Sequence, residues 1–435
     1  MRSEKSIGLA LFTILTVTVF LTAPHAIAQQ GTVLHSFGGY SGDGFEPLDR
    51  LTFDASGNLY GTTNQGGANG EGVVFELMPQ ASGGWTEKVL HTFKNDGRDG
   101  RNPWAGLIFD AAGNLYGTTY RGGPYDSGTV FELSPSAIGG WTEKILYNFN
   151  YNSKGGSNPT AGVTFDASGN LYGTTSLGGD GSCNVVGYLS GCGVAFELLP
   201  QAGGSWTEKI LHTFTNNTND GKFPYVGLIF DPSGNLYGTT FQGGVYGFGM
   251  VFELTPTTAG KWTEKPLHDF GTNKDGQTPS YDALTLDASG NLYGATITGG
   301  LYGGGTVFEL TPTTGGGWTE KVLHNFSNND NGGNGVYAGV IRDASGNLYG
   351  MTGIGGPYPK LCGEQGCGTV FELTPTPAGT WSEKVLYNFT STSGYFSQAS
   401  LILDASGNLY GTALLGGAYF GGNHSAAGTL FKIAP

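Results

Sequence analysis

The chain has 435 residues, 79 of them glycine, and a formal net charge of −14. That acidic balance excludes a nucleic-acid partner, which requires clustered Lys and Arg, and suits a soluble exported protein. Glycine at this level without a Gly-X-Y period would signal disorder, but 22 Tyr, 26 Phe and 7 Trp supply ample apolar area for a core, so short strands joined by tight turns are expected.

The first element is a leader. Arg2 and Lys5 precede an apolar run from Ile7 to Leu21, and Ala26-Ile27-Ala28 fits a small-x-small cleavage site. The run is short for a membrane span. Residues 1–28 are therefore expected to be a signal peptide, and the mature chain to start near Gln29, secreted or periplasmic, with no membrane span. Gln29, not a cysteine, directly follows the cleavage site, which argues against a lipid anchor.

A short strand, Val33-Leu-His-Ser-Phe37, comes next, and then an octapeptide close to Asp-Ala-Ser-Gly-Asn-Leu-Tyr-Gly recurs seven times. The copies begin at Asp54, Asp110, Asp166, Asp231, Asp287, Asp343 and Asp404, in steps of 56, 56, 65, 56, 56 and 61 residues. A fixed period of this size marks a repeat architecture. One unit reads as four strands. Gly106–Phe109 is a short apolar run. Asp110–Gly113 is a turn, in which Asp caps its own loop and Gly takes a positive φ. Asn114–Thr119, Thr129–Leu133 and Trp141–Phe149 follow. The Trp strand occurs six times, at Trp85, Trp141, Trp206, Trp262, Trp318 and Trp381. The seventh unit stops after Thr429–Ile433, and Val33–Phe37 matches Val89–Phe93, so the N-terminal strand supplies the missing fourth. The expectation is an all-β, seven-bladed β-propeller of four-stranded antiparallel blades. It forms one domain over residues 29–435, closed by the N-terminal strand in the last blade.

The Gly-Asn-Leu-Tyr-Gly-Thr-Thr runs, the following Gly-Gly, and Gly-Thr-Val-Phe-Glu-Leu-Thr-Pro resemble the tandem repeat of exported Gloeobacter and Verrucomicrobia proteins (GloVer). The likeness covers essentially the whole mature chain. Members often carry a C-terminal surface anchor; this sequence ends at Pro435 without one, so release or loose association is expected. The Asp-x-x-Gly-Asn-Leu-Tyr core also looks like an NHL-type propeller repeat, in keeping with the strand order. Neither resemblance implies a defined activity.

Residues repeated in every blade are expected to be scaffold. His35, His91, His212, His268 and His324 share one position, with Tyr147 and Tyr387 in the other two blades, and residues spread evenly around a rim do not converge on a metal. Glu76 and Lys88, with their five counterparts each, suggest a cross-strand ion pair; in the last blade Lys432 and Thr32 replace both. The Asp-x-x-Gly-Asn turns lack the ligand alternation of a calcium loop. Arg342, replacing the Phe of strand one, suggests a local salt bridge.

Function is expected on the opposite face, where the loops joining strands two to three and four to the next blade carry every large insertion. All four cysteines sit there, paired locally as Cys183–Cys192 and Cys362–Cys367 in a chain expected to be oxidised. On the inner rim most blades have Ala-Gly before strand one, but blade one has Asp49-Arg50 and blade five Asp282-Ala283. One position earlier stand Trp104, Tyr225, Tyr281 and Tyr337, and Tyr125, Tyr246, Tyr302, Tyr358 and Tyr419 follow the Gly-Gly of the two-to-three loops. Aromatic rings with a few carboxylates and an Arg suit a sugar. Asp49, Arg50, Trp104, Tyr225, Tyr281, Asp282 and Tyr337 are the candidate ligand-binding residues. The expectation is a monomeric, non-catalytic binding propeller without cofactor or metal, recognising an extracellular glycan or a surface protein. The alternatives are a polysaccharide lyase or hydrolase using Asp49, Asp282 and Arg50, and an adhesive scaffold. No nucleophile elbow or phosphate loop is present, and the top-face loops hold one His, His424.

Overall fold

A computed structural model describes residues 31–434 except 138, 152–153, 180–182, 184–190, 272–273, 328–331, 359, 363–364 and 420–426. The leader, its cleavage site and His424 lie outside the described residues. Seven antiparallel blades follow one another. Blade one consists of Thr52–Phe53, Leu59–Thr63, Val73–Pro79 and Trp85–Thr92, running from the central axis outward. Blade two repeats it with Ile108–Phe109, Leu115–Thr119, Thr129–Pro135 and Trp141–Asn148. Blade seven is Ile402–Leu403, Leu409–Ala413 and Thr429–Ile433, completed by Gly31–Ser36 from the other end of the chain. Among the described residues no helix is long and apolar enough to cross a membrane.

The octapeptide forms a turn and the start of a buried strand, for a definite chemical reason. In blade one, Asp54 Oδ1 accepts hydrogen bonds from the Ser56 and Asn58 amides at 2.8 and 2.9 Å, and Asn58 Nδ2 donates to Oδ2 at 2.8 Å. Six further copies make the same turn; in blade two the Ala112 and Asn114 amides and the Asn114 side chain donate to Asp110. Strand two, Leu-Tyr-Gly-Thr-Thr, is then wholly buried in blade one. Its Tyr60 hydroxyl donates to Glu76 Oε1 at 2.8 Å. The Glu expected only to pair with Lys therefore also anchors the strand-two Tyr. The ion pair forms as well, at 2.8 Å for Lys209–Glu197 and at 3.8–3.9 Å in blades one, four and six. In blade seven Lys432 instead lies 5.4 Å from the centre of the Tyr410 ring. Arg342 makes no ion pair among the described residues; its guanidinium stands 5.8 Å from the Tyr293 ring centre, a cation–π contact in place of the expected salt bridge.

The strand-two glycine is required by packing rather than by backbone angle. Gly61 pairs directly with Phe75, and a Cβ there would sit 2.7 Å from the Phe75 ring and 3.0 Å from Leu51. The same clash recurs in each blade, for example Gly238 on Phe252 at 2.6 Å. Gly238→Ala should therefore destabilise the protein by about 1–3 kcal/mol through overpacking, read as a lower urea midpoint.

The core lies between blades rather than inside them. Each apolar cluster draws on two neighbours, as with Tyr60, Val74 and Phe93 of blade one against Leu107, Leu115 and Phe131 of blade two. The last residue of each four-strand motif is a Phe that meets the strand-three Phe of the next blade. Seven such pairs, Phe37–Phe75 through Phe389–Phe431, run round the ring with centroids 5.0–5.3 Å apart. The N-terminal strand thus both completes blade seven and wedges it against blade one.

Candidate functional site

On the face carrying the four-to-one and two-to-three loops, short two-stranded ribbons clip the two loops of a blade together. Gly44–Phe45 pairs with Gln65–Gly66, and Gly100–Arg101 with Arg121–Gly122. Next to them, Glu46, Asn102, Asn158 and Phe223 adopt left-handed backbone with φ of 52–59°. Such non-glycine residues cost of order 1–3 kcal/mol each and gather where a surface is held for use. Their carbonyls accept hydrogen bonds from the amides of Asn64, Tyr120, Ser176 and Phe241 at 3.0–3.1 Å.

That locking brings two sequence positions per blade to the mouth of the central channel. A cavity of about 460 Å³ is lined by Trp104, Tyr225 and Tyr281 from the position before strand one, and by Asn64, Tyr120 and Phe241 from the position after strand two. Glu46, Leu48, Asp49, Thr160, Gln398 and Leu414 complete the wall. The Trp104 indole is 37 % exposed and lies flat on Tyr120, with centroids 4.6 Å apart and planes 9° from parallel. Phe241 stacks on Tyr281 at 5.5 Å and 11°, and Tyr281 continues to Tyr337 at 6.2 Å and 17°.

Four of the seven expected residues, Asp49, Trp104, Tyr225 and Tyr281, line this mouth. Tyr337 flanks it through Tyr281. Arg50 and Asp282 line a narrower cavity of about 120 Å³ that shares Asp49 and Tyr281 with the mouth, so they sit deeper on the axis. The two-to-three loop tyrosines are not brought together: Tyr125 and Tyr419 line separate outer cavities, and Tyr125, Tyr246, Tyr302, Tyr358 and Tyr419 are all exposed. Sequence reading missed Glu46, Leu48, Thr160 and Gln398 of the wall, and with them the set Asn64, Tyr120, Phe241 and Leu414. The signal for that set was present in the repeat, since the residue after strand two differs in all seven blades: Asn64, Tyr120, Ser176, Phe241, Ile297, Gly353 and Leu414.

The axial carboxylates hold the ring together. Asp49 accepts from its neighbour Arg50 N at 2.5 Å and from Gly106 N of blade two at 2.6 Å. Asp282 accepts from Ala283 N at 2.6 Å and from Ser400 N of blade seven at 2.9 Å. Protein walls surround the Asp49 carboxyl, and water reaches it through the cavities it lines. This burial, and next the charge of Asp282, push its pKa well above the usual carboxylate range. Blades one and five therefore do converge at the axis.

Both disulfides form as expected, Cys183–Cys192 and Cys362–Cys367. The histidines depart from expectation. They do not meet one another, but each faces carboxylates at the seam between its own blade and the next. His91 Nε2 lies 3.3 Å from Asp99 Oδ2 and 3.5 Å from Glu143 Oε1 of the following blade. Where Tyr147 replaces the His, its hydroxyl donates to Glu208 at 3.0 Å. Where glycine (Gly31) replaces the Glu, the Tyr387 ring fills the space.

The pattern of the Gloeobacter/Verrucomicrobia repeat matches residues 17–188 and 182–423. The chain belongs to that family. No curated protein matches it in sequence. Among solved structures, a putative 6-phosphogluconolactonase from Bacteroides uniformis is similar, with a TM-score of 0.50 and 14 % identity, covering 82 % of this chain and 88 % of that one. A putative oxidoreductase (glucose dehydrogenase) from Thermus thermophilus aligns with a TM-score of 0.44 and 16 % identity, over 74 % of this chain and 94 % of its own. At such identity the first likeness speaks for the propeller fold alone.

Proposed function

We propose that this family member is an exported binding propeller whose channel mouth holds a saccharide unit of an extracellular polysaccharide or cell-surface glycan, without catalysis. The observation that carries this reading is the aromatic wall of the mouth. Trp104, Tyr120, Tyr225, Phe241 and Tyr281 enclose about 460 Å³, with Glu46, Asn64, Asp49 and Gln398 interspersed. Flat rings offer the C–H face of a pyranose large area at low entropy cost, and a few amides and carboxylates among them can take hydroxyl hydrogen bonds. The volume lies within the range typical of small-ligand sites. The two disulfides are in keeping with an oxidising compartment outside the cytoplasm.

One observation favours a second reading, cleavage of the same kind of polymer. Asp49 has a raised pKa beside a second carboxylate, Asp282, as acid–base pairs do. Against it, each carboxylate is already engaged by two main-chain amides, which assigns them to the scaffold. Binding to immobilised polysaccharides tests the first reading. Trp104→Ala is expected to weaken any hit at least tenfold while leaving the melting temperature within a few degrees. The absence of any polysaccharide hit would sink the glycan reading; new reducing ends or unsaturated products from a bound polymer would replace it with the second.

A further inference from the structure

The seams between blades carry a second, repeated chemistry that the channel mouth does not use. Three seams gather one imidazole and two carboxylates: His35, Asp43 and Glu87 between blades seven and one; His91, Asp99 and Glu143 between one and two; His268, Asp275 and Glu320 between four and five. In each, the potential donor atoms all lie within 4.8 Å of one another. We propose that each of these three seams binds one divalent transition-metal cation of the Zn²⁺ or Mn²⁺ class, pinning neighbouring blades together.

Four observations carry this. The spacing comes first. Zn²⁺ holds His nitrogen and carboxylate oxygen at about 2.0–2.2 Å, so tetrahedral ligands stand roughly 3.4 Å apart. His91 Nε2 is 3.3 Å from Asp99 Oδ2 and 3.5 Å from Glu143 Oε1, and His268 Nε2 is 3.0 Å from Asp275 Oδ2. His35 Nε2 is 3.5 Å from Asp43 Oδ1 and 3.9 Å from Glu87 Oε2.

Unmet hydrogen-bonding capacity is the second. Glu143 Oε1, which faces His91, is buried without a hydrogen-bond partner, as are His35 Nε2, Glu87 Oε1, Asp99 Oδ1, Asp275 Oδ1 and Glu320 Oε1. The Asp43, Asp99 and Asp275 side chains are only 0, 8 and 5 % exposed, and that of Glu87 only 3 %. Such atoms leave bonding capacity that a cation can meet; Glu264 Oε1 of the His212 seam is unpaired too, but there the donor spacing is lacking among the described residues.

Orientation is the third. Each imidazole is fixed by an edge-to-face contact at 4.7 Å with the seam Phe two residues on, and each Asp is gripped by main-chain amides, such as Gly44 N on Asp43 at 2.7 Å and Lys94 N on Asp99 at 3.0 Å. Supporting contacts of this kind aim metal ligands.

The fourth is an internal comparison. The Asp occurs only where the His does. The blades with Tyr147 and Tyr387 have Gly155 and Ser393 in its place, and the His324 blade has Gly332. In the remaining seam Thr215 N and Oγ1 both donate to Asp220 Oδ2 at 2.9 Å, and its His212 and Glu264 do not close into a comparable set among the described residues.

The test uses tag-free mature protein stripped with a chelator, then dialysed against micromolar ZnCl₂ or MnCl₂ and assayed for bound metal. Three equivalents of at least one of the two metals are expected. His91→Gln or Glu143→Gln should remove one equivalent, and His212→Gln should remove none. A rise in the melting temperature of the unmutated protein on adding the bound metal keeps the test independent of variant folding. Any stoichiometry other than three, three equivalents that survive His91→Gln, or metal uptake without a rise in melting temperature overturns the proposal.

Discussion

A chain lacking residues 31–37 is expected to lose cooperative folding. The segment contributes the whole fourth strand of blade seven, with five backbone pairs from Gly31↔Ile433 to Ser36↔Thr429. It also contributes Phe37, fully buried against Phe75 of blade one. Removing a buried Phe alone costs about 3–5 kcal/mol, and each lost net hydrogen bond adds about 0.5–1.5 kcal/mol. The total is of the same order as the 5–15 kcal/mol that stabilises a whole domain. The truncated protein would also expose the edge of Thr429–Ile433, inviting strand addition. The expected result is a broad, low melting transition with oligomers on size exclusion. A truncated chain that stays monomeric and melts within a few degrees of the parent would show that the ring does not depend on this strand.

Asp49→Ala is expected to cost the most of any single substitution in the channel mouth. It removes the acceptor of two amides, Arg50 N and Gly106 N. Water can replace the acceptor at the exposed Arg50 amide, so the loss falls on the part-buried Gly106 amide and should be about 1–3 kcal/mol. Asp49→Asn keeps an acceptor and separates that contribution from charge, and the sign of the pH effect follows from the raised pKa. Burial, then Asp282, lift the folded value, while Arg50 and the two amides partly offset them. A carboxyl whose pKa is raised on folding contributes stability that is fully present below its unfolded value, near pH 4, and is lost as pH rises through the folded value. The parent protein should therefore lose stability between about pH 4 and neutrality at this group, and Asp49→Asn should flatten that slope. Parallel melting-temperature profiles for the two proteins would contradict the assignment.

The ring was legible in the sequence because its scaffold is written seven times. The Asp54 turn and the match of Val33–Phe37 with Val89–Phe93 recur at fixed spacing and were located by it, whereas the packing of Gly61 against Phe75 lies across two strands and shows only in the fold. The split blade was legible because a strand missing at Ile433 had its match at Val33. The mouth was half legible. Trp104, Tyr225 and Tyr281 stood out as large rings at one repeated position just before the Ala-Gly site, whereas Tyr120 and Phe241 follow strand two and reach the axis through the left-handed backbone at Asn102 and Phe223. No local pattern announces that conformation. The seam groups were hidden for another reason. His91 and Glu143 lie on two different blades with Asp99 in the loop between them, so no stretch of local sequence sets the imidazole beside its carboxylates.

Closure by the two ends of one chain also dictates the order of folding. Each blade is a local meander that can form from its own residues, but Ser36 meets Thr429 across roughly 400 residues of sequence. Contacts at such separation are slow to find. Refolding should therefore show early strand formation followed by a late step that buries Phe37. A circular permutant that joins the two ends and opens the ring inside another blade should move that late step to the new opening.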